Sequence, residues 1–239
     1  MSSLKHQPIL TEDGSPSLLT TYASGVVERM HHFRGALTES LYIYLPAIEW
    51  SFANCTTPVV MSLGLGLGYN ELLTVAAWLK SSSSNPLRLV TFENDVELKE
   101  HFTSWLLERN STELDSTYQV VLTQTAAAMK IDPAALKLKT RVLFTDGSWE
   151  IRGAFPETLR SEDRFHAILY DAFSAKMDEP LWSEDQLTGF LNAHAAPHCA
   201  LATYAAKGSL KRALKANGFT LQPKGGFGGK KESTFATRP

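Results

Sequence analysis

The residues with the clearest chemical potential are three glycines and an acid set at a fixed interval from them. Gly64-Leu-Gly66-Leu-Gly68 directly follows the apolar strand pattern PVVMSLG and opens a helix at Tyr69-Asn70-Glu71. Glycines at such a turn permit positive φ and leave no Cβ between backbone and ligand. A dinucleotide fingerprint needs glycine where Tyr69 stands, and a phosphate P-loop needs a lysine after Gly68. Gly229-Lys230 fails as a P-loop too, because Lys224 and Lys231 occupy the required Gly and Ser/Thr positions. A GxGxG turn instead suits a nucleoside cofactor without a pyrophosphate. Glu93, 29 residues after Gly64, closes the next strand pattern, where a carboxylate accepts both hydroxyls of a ribose. Asp95 beside it reads as a helix N-cap. Asp146, followed by Gly147, ends the strand pattern TRVLFT (140–145), in a position to receive or flank an adenine amino group. Gly64, Gly66, Gly68, Asn70, Glu93, Asp146 and Gly147 thus form the candidate cofactor set. The plainer alternative is a tight strand-to-helix turn with acids that cap helices.

The elements that must position these residues alternate from Pro58 onward: PVVMSLG, NELLTVAAWLK, LRLVTFE and DVELKEHFTSWLLERN read as strand, helix, strand, helix. This predicts βαβ units and a parallel sheet. Further strands are expected at 140–145, at FHAILYD and at CALATYA, with helices over EPLWSEDQLTGFLNAHA and LKRALKANG. FTLQPK and ESTFATR are joined only by a short glycine-rich stretch, so they must pair antiparallel. The expected sheet is mostly parallel, with one reversed strand at its C-terminal edge. Residues 1–57 read as a lead-in covering one end of the sheet, with β pairing around ESLYIYLPA, and 58–239 as the core of a single domain.

Hydrophobic residues make up 44% of the chain and charged residues 20%, which excludes disordered and fibrous classes. No apolar run approaches a membrane span, and the polar N-terminus lacks the apolar stretch of a signal peptide, so a cytoplasmic location is the default. Cys55 and Cys199 are far apart and read as free thiols. Pro197 interrupts the spacing between His194 and His198, and with no completing Cys/His set no metal is expected. The net charge of −2 hides a split. From Lys207 to Pro239 there are eight basic residues against one acid, a net of +7, although the near-neutral total gives little sign of a nucleic-acid binder.

Tyr170-Asp171-Ala172-Phe173-Ser174, followed by Met177-Asp178-Glu179-Pro180-Leu181-Trp182, resembles the tRNA 5-methylaminomethyl-2-thiouridine methyltransferases, the MnmC methyltransferase domain and its stand-alone MnmD-like relatives. The resemblance continues through Leu201-Ala-Thr-Tyr204, Gly208-Ser-Leu-Lys211-Arg212 and Gly226-Phe-Gly228-Gly-Lys230-Lys231-Glu232. Near the N-terminus it takes in Thr11 to Ser15, Gly35-Ala36 and Glu39-Ser40. It implies a class I S-adenosylmethionine-dependent methyltransferase fold, Rossmann-like, with seven strands of which the last is antiparallel. It implies S-adenosylmethionine as cofactor, a tRNA substrate, methylation of the primary amine of 5-aminomethyl-2-thiouridine at the wobble position, and no FAD domain in this chain. Two positions depart from the family: Ser62 replaces the usual acid opening the glycine loop, and Ala175 the usual proline after the Asp-x-Phe-Ser segment.

On that resemblance Asp171, at the carboxyl end of a strand beside the cofactor crevice, belongs to both the catalytic and the cofactor-binding sets. It is placed to orient the amine and take its proton. Phe173, Trp182 and Tyr204 are candidates to stack on an everted base, against the plainer role of core packing. Lys207, Lys211, Arg212, Lys230 and Lys231 would meet the phosphate backbone. His31, with His32 and Arg34 near it, and Glu39 are expected on the substrate side. Two other readings remain open: a methyltransferase of another amine or small molecule, and a silent RNA-binding relative.

Overall fold

The computed structural model describes residues 5–22, 25–81, 85–172 and 179–239. Three short strands, β1 (Lys5–Leu10), β2 (Pro16–Thr21) and β3 (Val27–Arg29), form a separate antiparallel sheet in the order β1-β2-β3. Two helices follow, α1 (Ala36–Ile43) and α2 (Leu45–Asn54), where the sequence predicted β pairing. The buried positions Ala36, Glu39, Ser40, Ile43, Ala47, Ile48 and Ser51 follow helical spacing. Only Ile43 and Ile48 among them are large and apolar, so the stripe is invisible to a hydrophobicity pattern. Tyr44 caps both helices, and Pro46 in the first turn of α2 marks the break.

The main body follows the predicted alternation through β4 (Val59–Leu63), α3 (Tyr69–Lys80), β5 (Arg88–Phe92) and α4 (Val96–Leu106). Next come α5 (Asp115–Met129), α6 (Pro133–Thr145), β6 (Trp149–Arg152), β7 (Phe165–Tyr170), α7 (Glu184–His194), β8 (Ala195–Thr203), α8 (Gly208–Ala216), β9 (Thr220–Gln222) and β10 (Thr234–Arg238). Residues 140–145 therefore end a helix and not a strand. Asp132 caps α6 by accepting from the Ala135 N–H, Pro133 pre-sets its first turn, and Leu136, Thr140 and Leu143 bury one face. A six-residue run with only two inward-facing apolar residues cannot be told from a strand by period alone.

The seven-stranded sheet has the order β6-β5-β4-β7-β8-β10-β9. Strands β6 to β8 are parallel, and β10 runs antiparallel to both of its neighbours. The reversed strand is last in the chain, as expected, but it inserts between β8 and β9 and leaves β9 at the edge. Val60, Leu89, Ala167 and Leu169 point to the face covered by α1 to α6, while Met61, Val90, Ile168 and Leu201 point to the face covered by α7 and α8. Burial of both faces explains the continuous apolar runs of the central strands. Leu18, Ile43 and Ile48 of the N-terminal segment belong to the first of these cores. Among the described residues no helix is long and apolar enough to cross a membrane.

Candidate active site

Chain progression across the sheet reverses between β4 and β7, and the crevice at such a reversal is where ligands bind in open α/β sheets. A cavity of about 370 Å³ opens there, among the carboxyl ends of β4, β5 and β7. Gly64 and Gly66 line it with their backbone, both at positive φ (89° and 51°). Gly68 has a different task. At φ 79° it caps α3, and a Cβ there would lie 2.4 Å from the Phe102 ring, so this glycine lets helix and loop close onto α4. Asn70, in the first turn of α3, is buried and lines the cavity.

Glu93 sits where β5 ends, on the cavity wall. Its Oε2 accepts from the N–H groups of Leu65 (2.9 Å) and Gly66 (3.3 Å), and its Oε1 from the Asp95 N–H (2.8 Å). One carboxylate thus braces the glycine loop and still presents lone pairs to the crevice. Burial raises its pKa, against the lowering effect of these backbone donors. Asp95 caps α4 through the Glu97 and Leu98 N–H groups, as the sequence indicated. Beneath the loop, Ser62 and Glu71 are both fully buried, Glu71 accepting from the Thr91 hydroxyl (3.0 Å), and burial pushes its pKa up to about 8.

The opposite wall is assembled from distant segments. Asp171, just beyond β7, receives two donors: the Tyr44 hydroxyl at 2.5 Å on Oδ1 and the Asn70 amide at 3.1 Å on Oδ2. Burial is the largest influence on its carboxyl and moves the pKa to about 7, with the two donors and Lys230 opposing and Glu39 reinforcing. The Tyr44 hydroxyl, buried beside this carboxylate, has its own pKa pushed far up and stays a donor. Tyr204 lines the cavity, its hydroxyl donating to the Ala172 carbonyl (3.0 Å) and Lys230 Nζ lying 4.9 Å from its ring centroid. His31 and Glu39 line it as well. His31 shares a hydrogen bond with the Ser17 hydroxyl, and burial lowers its pKa to about 4. Glu39 accepts from the His32 N–H (2.8 Å), and burial raises its pKa.

The N-terminal motif residues explain how this wall is held. The Ser15 hydroxyl accepts from the Ala36 and Leu37 N–H groups, and Asp13 accepts from the Thr38 N–H and hydroxyl. These bonds satisfy the free donors at the start of α1 and so hold Glu39 on the cavity and Tyr44 against Asp171.

Several predicted site residues lie elsewhere. Asp146 ends α6 with Gly147 after it, before β6 begins. In a parallel sheet that places both at the amino end, away from the crevice, and Asp146 accepts from the Ser148 N–H. Ala154 and Phe155, beyond the other end of β6, border the cavity in their place. Trp182 is 3% exposed and packs edge-on against Tyr170 (5.2 Å), so it is a core residue and not a stacking platform. Lys207 lies over that same ring, 5.9 Å from its centroid. Lys211 pairs with Glu232 (2.5 Å) and Arg212 with Glu184 (2.6 Å), so each of these two cations already holds a carboxylate. Lys231 is exposed beside Lys230. Phe173 and Ala175 lie outside the described residues. Tyr44 escaped the sequence reading, hidden in a segment whose helices were misread. Among the described residues no three His, Cys, Asp or Glu side chains come together as a metal site.

A protein family described as S-adenosyl-L-methionine-dependent methyltransferase matches residues 108–239, more than half of the chain. The chain belongs to this methyltransferase family. It is 28% identical over 237 residues to the Cupriavidus necator "tRNA 5-methylaminomethyl-2-thiouridine biosynthesis bifunctional protein MnmC", covering 97% of this methyltransferase and 34% of that protein. The Hahella chejuensis protein of the same name is 41% identical over 68 residues, 28% of this chain and 11% of that one. The methyltransferase thus spans about a third of the length of the Cupriavidus relative. Among solved structures, MnmC2 from Aquifex aeolicus superposes with a TM-score of 0.68 at 19% identity, covering 98% of this chain and 70% of that one, which supports the fold.

The cavity fits the cofactor of this family. Two loop glycines give open backbone, the Glu93 carboxylate faces it, Leu63 and Phe92 offer an apolar wall, and its volume falls within the ordinary range for small-molecule sites. The methyltransferase would hold S-adenosylmethionine with Gly64, Gly66, Asn70 and Glu93.

Proposed function

We propose that this methyltransferase N-methylates the primary amine of 5-aminomethyl-2-thiouridine at the wobble position of tRNA, forming the 5-methylaminomethyl product. The observation that carries the reading is Asp171, a carboxyl held by Tyr44 and Asn70 on the floor of the cavity that the glycine loop lines. Similarity to proteins named for 5-methylaminomethyl-2-thiouridine biosynthesis supports the substrate class.

When bound, S-adenosylmethionine supplies an electrophilic methyl group on a sulfonium. The residues of this chain have to present the acceptor nitrogen with a free lone pair. An alkylammonium in water holds its proton far more tightly than an ordinary aspartate. Burial narrows that gap from both sides, because it raises the pKa of Asp171 and disfavours the ammonium. With Tyr44 on Oδ1 and Asn70 on Oδ2, the carboxylate plane is fixed and one lone pair on each oxygen remains to receive an ammonium N–H. A proton passes from that nitrogen to Asp171, which leaves the amine neutral and directed. Tyr44 is a positioning residue in this scheme. Tyr204, a cavity-lining ring with Lys230 over it, would contact the acceptor base.

The test is methyl transfer to tRNA carrying 5-aminomethyl-2-thiouridine, read by nucleoside mass spectrometry. Conversion to the methylaminomethyl nucleoside is expected. If that tRNA gains no methyl group while a free alkylamine does, the tRNA assignment is lost.

A further inference from the structure

One surface beside the cavity joins side chains from opposite ends of the chain. Phe33 and Tyr42 are aromatic yet 46% and 42% exposed. The His32 ring lies 4.6 Å from Phe33 and 5.6 Å, edge-on, from Phe227, and Phe227 lies 6.1 Å from Tyr42. Cations stand over these rings: Arg34 at 5.9 Å from Phe33 and Lys224 at 4.8 Å from Tyr42. Lys230 stands over Tyr204, which lines the cavity, so the rim runs directly into the active site. A glycine makes the junction possible: Gly228 has φ 65°, and a Cβ there would lie 2.2 Å from the His32 ring. The Tyr42 hydroxyl also donates to the Gly225 carbonyl (3.2 Å).

Two basic regions can therefore be compared as partners for a polyanion. On α8 each of Lys211 and Arg212 already holds a carboxylate. Among the described residues none of Arg34, Lys224 and Lys230 is in an ion pair, and each has an aromatic ring beneath it. Of the acids near this rim, Glu39 is buried and turned onto the His32 N–H, and Glu12 stands close enough to act on the His32 ring but forms no ion pair with the three cations among the described residues. Exposed rings interleaved with cations are what unstacked bases and their phosphates require. A rigid duplex has no splayed bases to offer them.

We propose that the rim formed by Phe33, Arg34, Tyr42, Lys224, Phe227 and Lys230 is the docking surface for a single-stranded RNA loop. Bases stack on the exposed rings, phosphates meet the three cations, and the α8 face stays outside the contact. This rests on the RNA reading given above and assigns the residues that would carry it.

The test is fluorescence anisotropy of a labelled anticodon stem-loop RNA, and of a blunt RNA duplex of equal length, over a range of salt concentrations. Both probes carry unmodified uridine, so binding is judged apart from methyl transfer. Phe33→Ala should weaken stem-loop binding about tenfold and leave the salt slope unchanged, since stacking releases no counterions. Arg34→Ala should weaken it and reduce the slope by about one. The double variant Lys211→Ala/Arg212→Ala should bind as the wild type does. Phe33 and Arg34 are exposed, and circular dichroism confirms that their variants fold. Wild-type affinity in both rim variants, or equal affinity of the wild type for duplex and stem-loop, would overturn the rim. Loss of the methyl-transfer reading would show instead as an unmethylated 5-aminomethyl-2-thiouridine substrate with the rim effects intact.

Discussion

The two walls of the cavity are built in opposite ways. The cofactor wall comes mostly from consecutive chain: β4, the glycine loop, α3 and the end of β5, within residues 59 to 94, with Ala154 and Phe155 beyond β6 bordering it. Its polar groups are tied to one another, as when Glu93 takes the loop N–H groups. The acceptor wall gathers His31, Glu39, Asp171, Tyr204 and Lys230 from almost the full length of the chain, with Tyr44 bonded to Asp171. The contrast matches the proposed task of each wall. A common cofactor can be met by one compact supersecondary unit, while a particular acceptor needs directed groups that only long-range packing brings together.

If the walls are functionally separate, damage to one should spare the other. The largest expected effect is that of Asp171→Asn, which keeps the shape and removes the proton acceptor: turnover should fall roughly 100-fold or more, with S-adenosylmethionine affinity by calorimetry nearly unchanged. Equal loss of both would erase the distinction. Glu93→Ala is the converse. It removes the loop brace and the proposed ribose acceptor, and cofactor affinity should drop by about tenfold or more, with the RNA affinity of the rim retained.

A pH profile sharpens the same comparison. Asp171 must be ionised to take a proton, and its pKa lies near 7, so activity should rise through about pH 7 and not through the ordinary carboxylate range. Tyr44→Phe removes a donor that favours the ionised form, so the acidic limb should move upward by about one unit while turnover at pH 7 falls roughly tenfold. An unmoved limb would reduce Tyr44 to packing. On the Asp171→Asn background the same substitution should have little further effect on rate.

The smallest effect concerns the support under the cofactor wall. Glu71 has a pKa raised to about 8, so between its ordinary carboxylate value and that point the folded state binds a proton that the unfolded state lacks. Stability should therefore decline as pH rises through this window. Glu71→Gln, neutral at every pH, should melt a few degrees above the wild type at pH 8 and at about the same temperature at pH 5. A difference independent of pH would place the benefit elsewhere.

Much of the cofactor wall was legible because it is local. An apolar strand, a GxGxG turn and an acid closing the next strand lie within one βαβ unit, and period and spacing describe such a unit well. Where period is ambiguous, residue types do not decide between helix and strand. The run at 140–145 is the end of α6, and that shift carried Asp146 and Gly147 to the wrong end of the sheet. Around ESLYIYLPA the inward face of α1 is partly Ser and Glu, so no apolar stripe marked the helix that ends at Tyr44. Lys211 and Arg212 looked like phosphate contacts because charge counting cannot see that Glu232 and Glu184 stand opposite them.

By itself the sequence determined the parallel α/β architecture, the reversed last strand, the nucleoside-type loop and the acids at strand ends, since these follow from residue type and near-neighbour spacing. Only the tertiary structure decided that Tyr44 and Asn70 grip Asp171, that Trp182 is core, and that the two chain ends meet at Gly228 to form one aromatic and basic rim. These are contacts between residues up to about 200 positions apart. Their partners are chosen by burial, hydrogen-bond geometry and charge pairing in three dimensions, for which spacing along the chain holds no signal.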